Sequence, residues 1–163
     1  MICSQSQYID FQCFKVYLAA SKDSLSLQLI QRSVAFGFGG GMSARETLKK
    51  YETEINKHNF DLVAPLISSD CKFWFSSGTF EGLDQTRKAF EKTWGMIKEE
   101  VYSTSEQNWI AESDRAAICT YTFHWKGLIE GEPCEGKGRG TSCFRKEPDG
   151  WKIIHEHLSH FPK

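Results

Sequence analysis

The sequence predicts an α+β domain in which helices cover one face of an antiparallel sheet, and three observations carry that prediction. Apolar residues recur at helical spacing over 43–97, they switch to a period of two from residue 101 onward, and turn residues divide the second region into four long strands. With 163 residues, 40 % of them hydrophobic and 13 % aromatic, the chain has room for one ordinary domain with a substantial core.

Ser43 followed by Glu46 is the signature of a capping box, and Leu48, Tyr51 and Ile55 share a face, which predicts a first helix over 44–58. Asn59 and Asp61 supply caps for a short second helix that carries Phe60, Val63, Leu66 and Ile67 and ends near Ser68. A short strand is expected over 71–76, with a turn starting at Ser77-Gly78. Leu83, Thr86, Phe90, Trp94 and Ile97 form the apolar stripe of a third helix over 83–97. Strands over 101–111, 115–127, 134–147 and 151–160 follow, the last two joined through Pro148-Asp149-Gly150. In the second of these, Ala117, Cys119, Tyr121, Phe123 and Trp125 alternate with a more polar set, so the aromatic side must meet the helices. That side carries more large rings than close packing requires, which leaves room for a pocket.

Residues 1–41 read differently. Ser and Gln are frequent, the apolar residues keep no period, and the stretch ends in Gly37-Phe-Gly-Gly-Gly41 directly before Met42. Successive glycine codons are what a purine-rich bacterial ribosome-binding site yields when read in frame, which suggests a bacterial protein with its natural start at Met42. The alternative is a weakly ordered extension with a short helix over 24–34. The expected plan is thus a non-native or weakly ordered extension over 1–42, then one domain over 43–163.

Lys and Arg number 20 against 21 Asp and Glu, a net charge of −1, and without a basic run the field that attracts nucleic acid is missing. No apolar stretch reaches the roughly 18 residues of a membrane span. Neither nucleic acid nor membrane is therefore an expected partner. Cys3, Cys13, Cys71, Cys119, Cys134 and Cys143 are scattered without zinc or redox spacing, which reads as reduced thiols in the cytoplasm.

Strict alternation along the last strand sets Trp151, Ile153, His155, His157 and Ser159 on the helix-covered face, and Lys152, Ile154, Glu156, Leu158 and His160 on the outer face. A His-x-His strand can hold a metal, but His124 and His160 face away and leave no third ligand, so no metal or other cofactor is expected. The two imidazoles are then either polar groups lining a cavity or hydrogen-bonded core histidines without a ligand. Arg139 has two readings: it points inward toward a carboxylate, or outward to a surface pair with Glu135 or Glu147. Trp74, Trp94, Tyr121 and Trp125 are the rings expected near the cavity, plain core being the alternative. The candidate ligand-binding set is Trp74, Trp94, Tyr121, Trp125, Arg139, His155 and His157, with a small apolar or aromatic molecule as ligand. Ile118, Ile154 and Leu158 on the outer face suit a homodimer interface.

The chain resembles the SnoaL-like branch of the nuclear transport factor 2-like superfamily. The resemblance rests on the initial helix pair, on Phe80-Glu-Gly-Leu-Asp-Gln-Thr-Arg-Lys-Ala-Phe90, on Arg139-Gly-Thr141, and on Gly150-Trp-Lys-Ile-Ile-His-Glu-His-Leu-Ser159. It covers 43–160. It implies a cone-shaped fold, with helices packed into a strongly curved, mostly antiparallel sheet around a cavity, and commonly a homodimer formed through the sheet. For function it implies either an isomerase, lyase or hydrolase using acid–base chemistry from a cavity carboxylate, or a non-catalytic association module. No carboxylate of this chain aligns to that base. The expected function is a small-molecule-binding cavity protein, with the association module as the alternative and catalysis left open.

Overall fold

A computed structural model describes residues 41–162. The expected extension falls outside the described residues up to residue 40, and so does its short helix. The elements are α1 (Ala44–Ile55), α2 (Phe60–Val63) with a 3-10 turn (Ala64–Leu66), β1 (Ile67–Phe75), β2 (Gly78–Glu81), α3 (Gly82–Met96), β3 (Lys98–Glu112), β4 (Ala116–Ile129), β5 (Glu132–Glu147) and β6 (Gly150–His160). The strands make one curved α+β sheet in the order β2-β1-β6-β5-β4-β3. All neighbours are antiparallel except β1 and β6, which run parallel.

Local chemistry accounts for most of these boundaries. Ser43 and Glu46 close the capping box that starts α1, and Asn59 Oδ1 accepts from the Asp61 amide to start α2. α1 stops three residues before the predicted end, because the chain turns at His58, whose φ is 51°. The strand expected at 71–76 begins at Ile67, where the second helix tightens into a 3-10 turn and ends. β2 was not expected, since four residues give too short an alternation to read. Pro148 and Asp149 form the predicted turn between β5 and β6, and Glu130-Gly131, both at positive φ, close the β4–β5 hairpin.

Curvature comes from a lane of glycines. Gly136, Gly138 and Gly140 on β5 stand directly opposite Trp125, Phe123 and Tyr121 on β4. A Cβ at any of the three would overlap the ring across from it. The rings lie flat over the glycines, and the sheet bends toward the helices at that lane. The core fills the concave side, where Leu48 and Tyr51 of α1, Phe73 of β1, Phe90 of α3, Phe144 of β5 and Ile153 of β6 are buried.

Candidate functional site

The site is set by a bulge in the last strand. β6 pairs Ile153 with Phe144 and then His155 with Cys143, so Ile154 is an extra residue without a partner. A one-residue slip sends every later side chain to the other face. Ile153 points inward as predicted, but beyond the bulge Glu156 and Leu158 point inward, and His155 and His157 point out. The expectation that both imidazoles face the helices is therefore overturned, and so is the expectation of Glu156, Leu158 and His160 on the outer face.

Glu156 is 1 % exposed and holds the centre of a buried polar cluster. Tyr121 Oη donates to its Oε1 at 2.7 Å, Tyr51 Oη donates to its Oε2 at 2.9 Å, and Ser142 Oγ lies 3.3 Å from Oε1. Burial raises its pKa despite these bonds, which act the other way. The same burial raises the phenols of Tyr51 and Tyr121 well above their ordinary value, so both stay protonated donors.

Glu100 is the second inward carboxyl. Glu99 sits at φ 53° in a bulge at the start of β3, and the displaced register turns Glu100 and Tyr102 to the concave side. α1 and its C-terminal turn fix this segment. Asn56 bonds the Tyr102 backbone at both its N–H (2.7 Å) and its carbonyl (2.8 Å), and His58 Nε2 donates to the Glu100 carbonyl at 3.0 Å. Among the described residues the Glu100 side chain has no such partner, and burial pushes its carboxyl up to about 7. The Tyr102 hydroxyl is buried and unpartnered as well.

These groups meet in a cleft of about 350 Å³ between α1, α3 and the sheet. Glu100, Glu156 and Tyr102 are its polar side, and Phe90, Trp94, Phe123 and Trp125 are among its rings. Two larger concavities, of about 680 and 660 Å³, open at Val101, Lys126 and Glu135 on the outer side of β3, β4 and β5. Lys137 extends the first of them. Their walls are hydrated strand surface without a buried carboxyl, so the inner cleft is the better candidate. A carboxyl poised near neutrality beside apolar walls can both take and return a proton, and an unpartnered phenol can donate to an oxygen held next to it.

Three of the predicted site residues come together here. Trp94 and Trp125 line the cleft, and Tyr121 lies beneath it as a donor to Glu156. Trp74, Arg139, His155 and His157 do not reach it. Trp74 is 45 % exposed on the outer face, with His155 and His157 edge-on to its ring at 4.9 and 5.7 Å. His155 Nδ1 donates to the Lys72 carbonyl. Arg139 is exposed on the outer face across from Thr122 and Ser159, and among the described residues it makes neither of the expected pairs with Glu135 or Glu147. Glu100 and Glu156 were missed. The available signal was Tyr121, an inward phenol one strand from the inward Ser142, which required a buried acceptor on the next strand. Among the described residues, no three His, Cys, Asp or Glu side chains converge as a metal site requires.

A family model described as the SnoaL-like domain matches residues 44–163. No curated protein matches the chain. Among solved structures, a nuclear transport factor 2-like superfamily protein from Salmonella enterica is 22 % identical, with 72 % of this chain and 88 % of that one covered and a TM-score of 0.67. A protein assigned as a scytalone dehydratase from Novosphingobium aromaticivorans is 16 % identical over 72 % of this chain and 81 % of that one, at a TM-score of 0.62. The association domain of C. elegans CaMKII is 16 % identical over 70 % and 90 %, at 0.58. A dehydratase assignment and an association domain on one fold leave the reaction to be argued from the site. From the match over 44–163 and the shared architecture, the chain belongs to the SnoaL-like family, within the nuclear transport factor 2-like fold.

Proposed function

We propose that the protein is an enzyme of the isomerase or lyase type that moves a proton on a small, largely apolar molecule bound in the inner cleft. The observation that carries this reading is Glu100: a buried carboxyl without a hydrogen-bond partner, pushed up to about 7, in an apolar cleft. Its carboxyl meets the cleft rather than a protein group, and a carboxyl raised by desolvation in a cleft is placed to act on a bound molecule. Glu100 serves as the proton carrier. Glu156, locked by two phenols and a serine, keeps the floor of the cleft fixed. Trp94 and Trp125 hold the apolar body of the ligand.

The test is exchange rather than turnover, because it requires no natural substrate. A tetralone incubated with the protein in deuterated buffer should incorporate deuterium next to its carbonyl faster than in buffer alone, as followed by proton NMR. Glu100→Gln should remove the acceleration. Equal rates with and without the protein, at a concentration where the ketone binds, would leave the alternative of an association module.

The outer face supports assembly into a homodimer. Trp74 and Val101 are about half exposed there, and Ile118 and Ile154 are half-buried on the strands β4 and β6. The buried thiols Cys71 and Cys119, the latter pushed up to about 11, behave as small hydrophobes and fit a reducing cytoplasm.

A further inference from the structure

The charge balance of the cleft is one-sided. Its titratable lining consists of Glu100, Glu156, His160 and the phenols Tyr51 and Tyr102, and among the described residues no lysine or arginine lines it. His160 is exposed, and His58 meets Glu100 at its backbone carbonyl rather than at its carboxyl. Glu156 is provided for by three hydroxyls. Glu100 has no such partners, and desolvation is the only influence on its ionisation. The sequence reading of Arg139 as the partner of a ligand carboxylate fails on position, since that guanidinium lies on the opposite face of the sheet.

We infer that the cleft takes an apolar molecule bearing a protonated amine, its ammonium seated between Glu100 and the surrounding rings, an inference that rests on the cleft being the binding site. An anionic ligand would meet two carboxyls and no counter-charge in a low-dielectric space, which is a strong discrimination against it. A neutral ligand fills the apolar volume but leaves Glu100 as unpaired as before. An ammonium supplies the missing charge, and the faces of the lining aromatic rings attract the same cation. The aromatic walls and the solitary carboxyl thus favour one ligand class between them.

Three probes of one shape separate the possibilities: an aminotetralin, the tetralone and the tetralin carboxylate, each titrated calorimetrically into the full-length protein at about pH 8, where Glu100 is ionised and the amine protonated. The amine should bind at least about tenfold more tightly than the ketone, the scale of a desolvated cation–aromatic contact together with a charge pair, and the carboxylate most weakly. In Glu100→Gln, whose fold is checked by circular dichroism, the preference of amine over ketone should collapse to within about twofold while the ketone still binds. Equal affinity for amine and ketone in the wild type, or an unchanged ratio in Glu100→Gln, overturns the inference. If the ketone binds and exchanges its protons but the amine gains nothing, the proton-transfer reading stands and the amine inference falls. If none of the three binds, both fall.

Discussion

The two faces of the same sheet handle ionisable groups in opposite ways. On the outer face Arg139, Lys137 and His157 are exposed, and His155 is half-buried against the Lys72 carbonyl. On the inner face two glutamates stand among rings, and burial raises the pKa of both. They differ in turn from each other, since Glu156 is held by three hydroxyls and Glu100 by none. Position relative to the sheet therefore decides which polar residues are chemistry and which are surface, and a single bulge at Ile154 decides position for the whole end of β6.

The comparison breaks most visibly at Glu156. Glu156→Leu strands the Tyr51 hydroxyl in the core, leaves those of Tyr121 and Ser142 only each other, and should cost about 3 kcal/mol in chemical denaturation. Combining it with Tyr51→Phe, Tyr121→Phe and Ser142→Ala should recover much of that loss, because no hydroxyl of the cluster is then left without an acceptor. If the single variant is as stable as the wild type, the polar cluster is not a structural unit and Glu156 belongs with Glu100 as a reactive group.

The alternation of Ala117, Cys119, Tyr121, Phe123 and Trp125 was legible because β4 keeps its register against β5 along its whole length. The helix caps were legible because they need only one residue type at one spacing. The end of β6 was not. Ile153 and Ile154 are adjacent and equally apolar, so nothing in their chemistry says which of them is the extra residue, and every assignment after them depends on that choice. Glu99-Glu100 was hidden for a related reason: two consecutive glutamates look like hydrated surface, and only the left-handed turn at Glu99 sends the second one inward. Sequence periodicity carries the fold through long regular strands and loses the cleft at the bulges, where Glu100 and Glu156 are turned inward.

Glu100 gives a smaller effect, visible as a pH dependence. Its carboxyl is raised from the ordinary 4.5 to about 7 in the fold, so between those values the folded state binds a proton that the unfolded state has released. Its contribution to stability is therefore fully present below about pH 4.5 and is lost as pH rises through about 7. Because the cleft opens to water, the change should be on the order of 1–2 kcal/mol. Asp70, lowered to about 2 by Arg145 and Ser68, works in the opposite sense and only at more acidic pH, so the two windows separate. Denaturation midpoints measured from about pH 5 to pH 8 should fall more steeply in the wild type than in Glu100→Gln, where Glu156 is the raised carboxyl that remains; parallel curves would mean that Glu100 does not titrate there.

The outer face should yield the smallest effect on the fold, and that smallness sharpens the contrast. His157 is exposed, meets Trp74 edge-on and makes no hydrogen bond within the described residues, so His157→Ala should change the unfolding free energy of a monomer by no more than about 0.5 kcal/mol. Trp74 tests what the face is for. Light scattering at micromolar concentration should give a dimer mass for the wild type, and Trp74→Lys should give a folded monomer with an unchanged circular dichroism spectrum, because the ring contributes to a contact between copies and little to the core beneath it. A monomer mass for the wild type would remove the dimer, and Trp74 would then be an exposed ring on a hydrated face. A loss of folded signal in Trp74→Lys would instead assign the ring to the fold itself, and the division between a reactive inner face and an assembling outer face would have to be redrawn at β1.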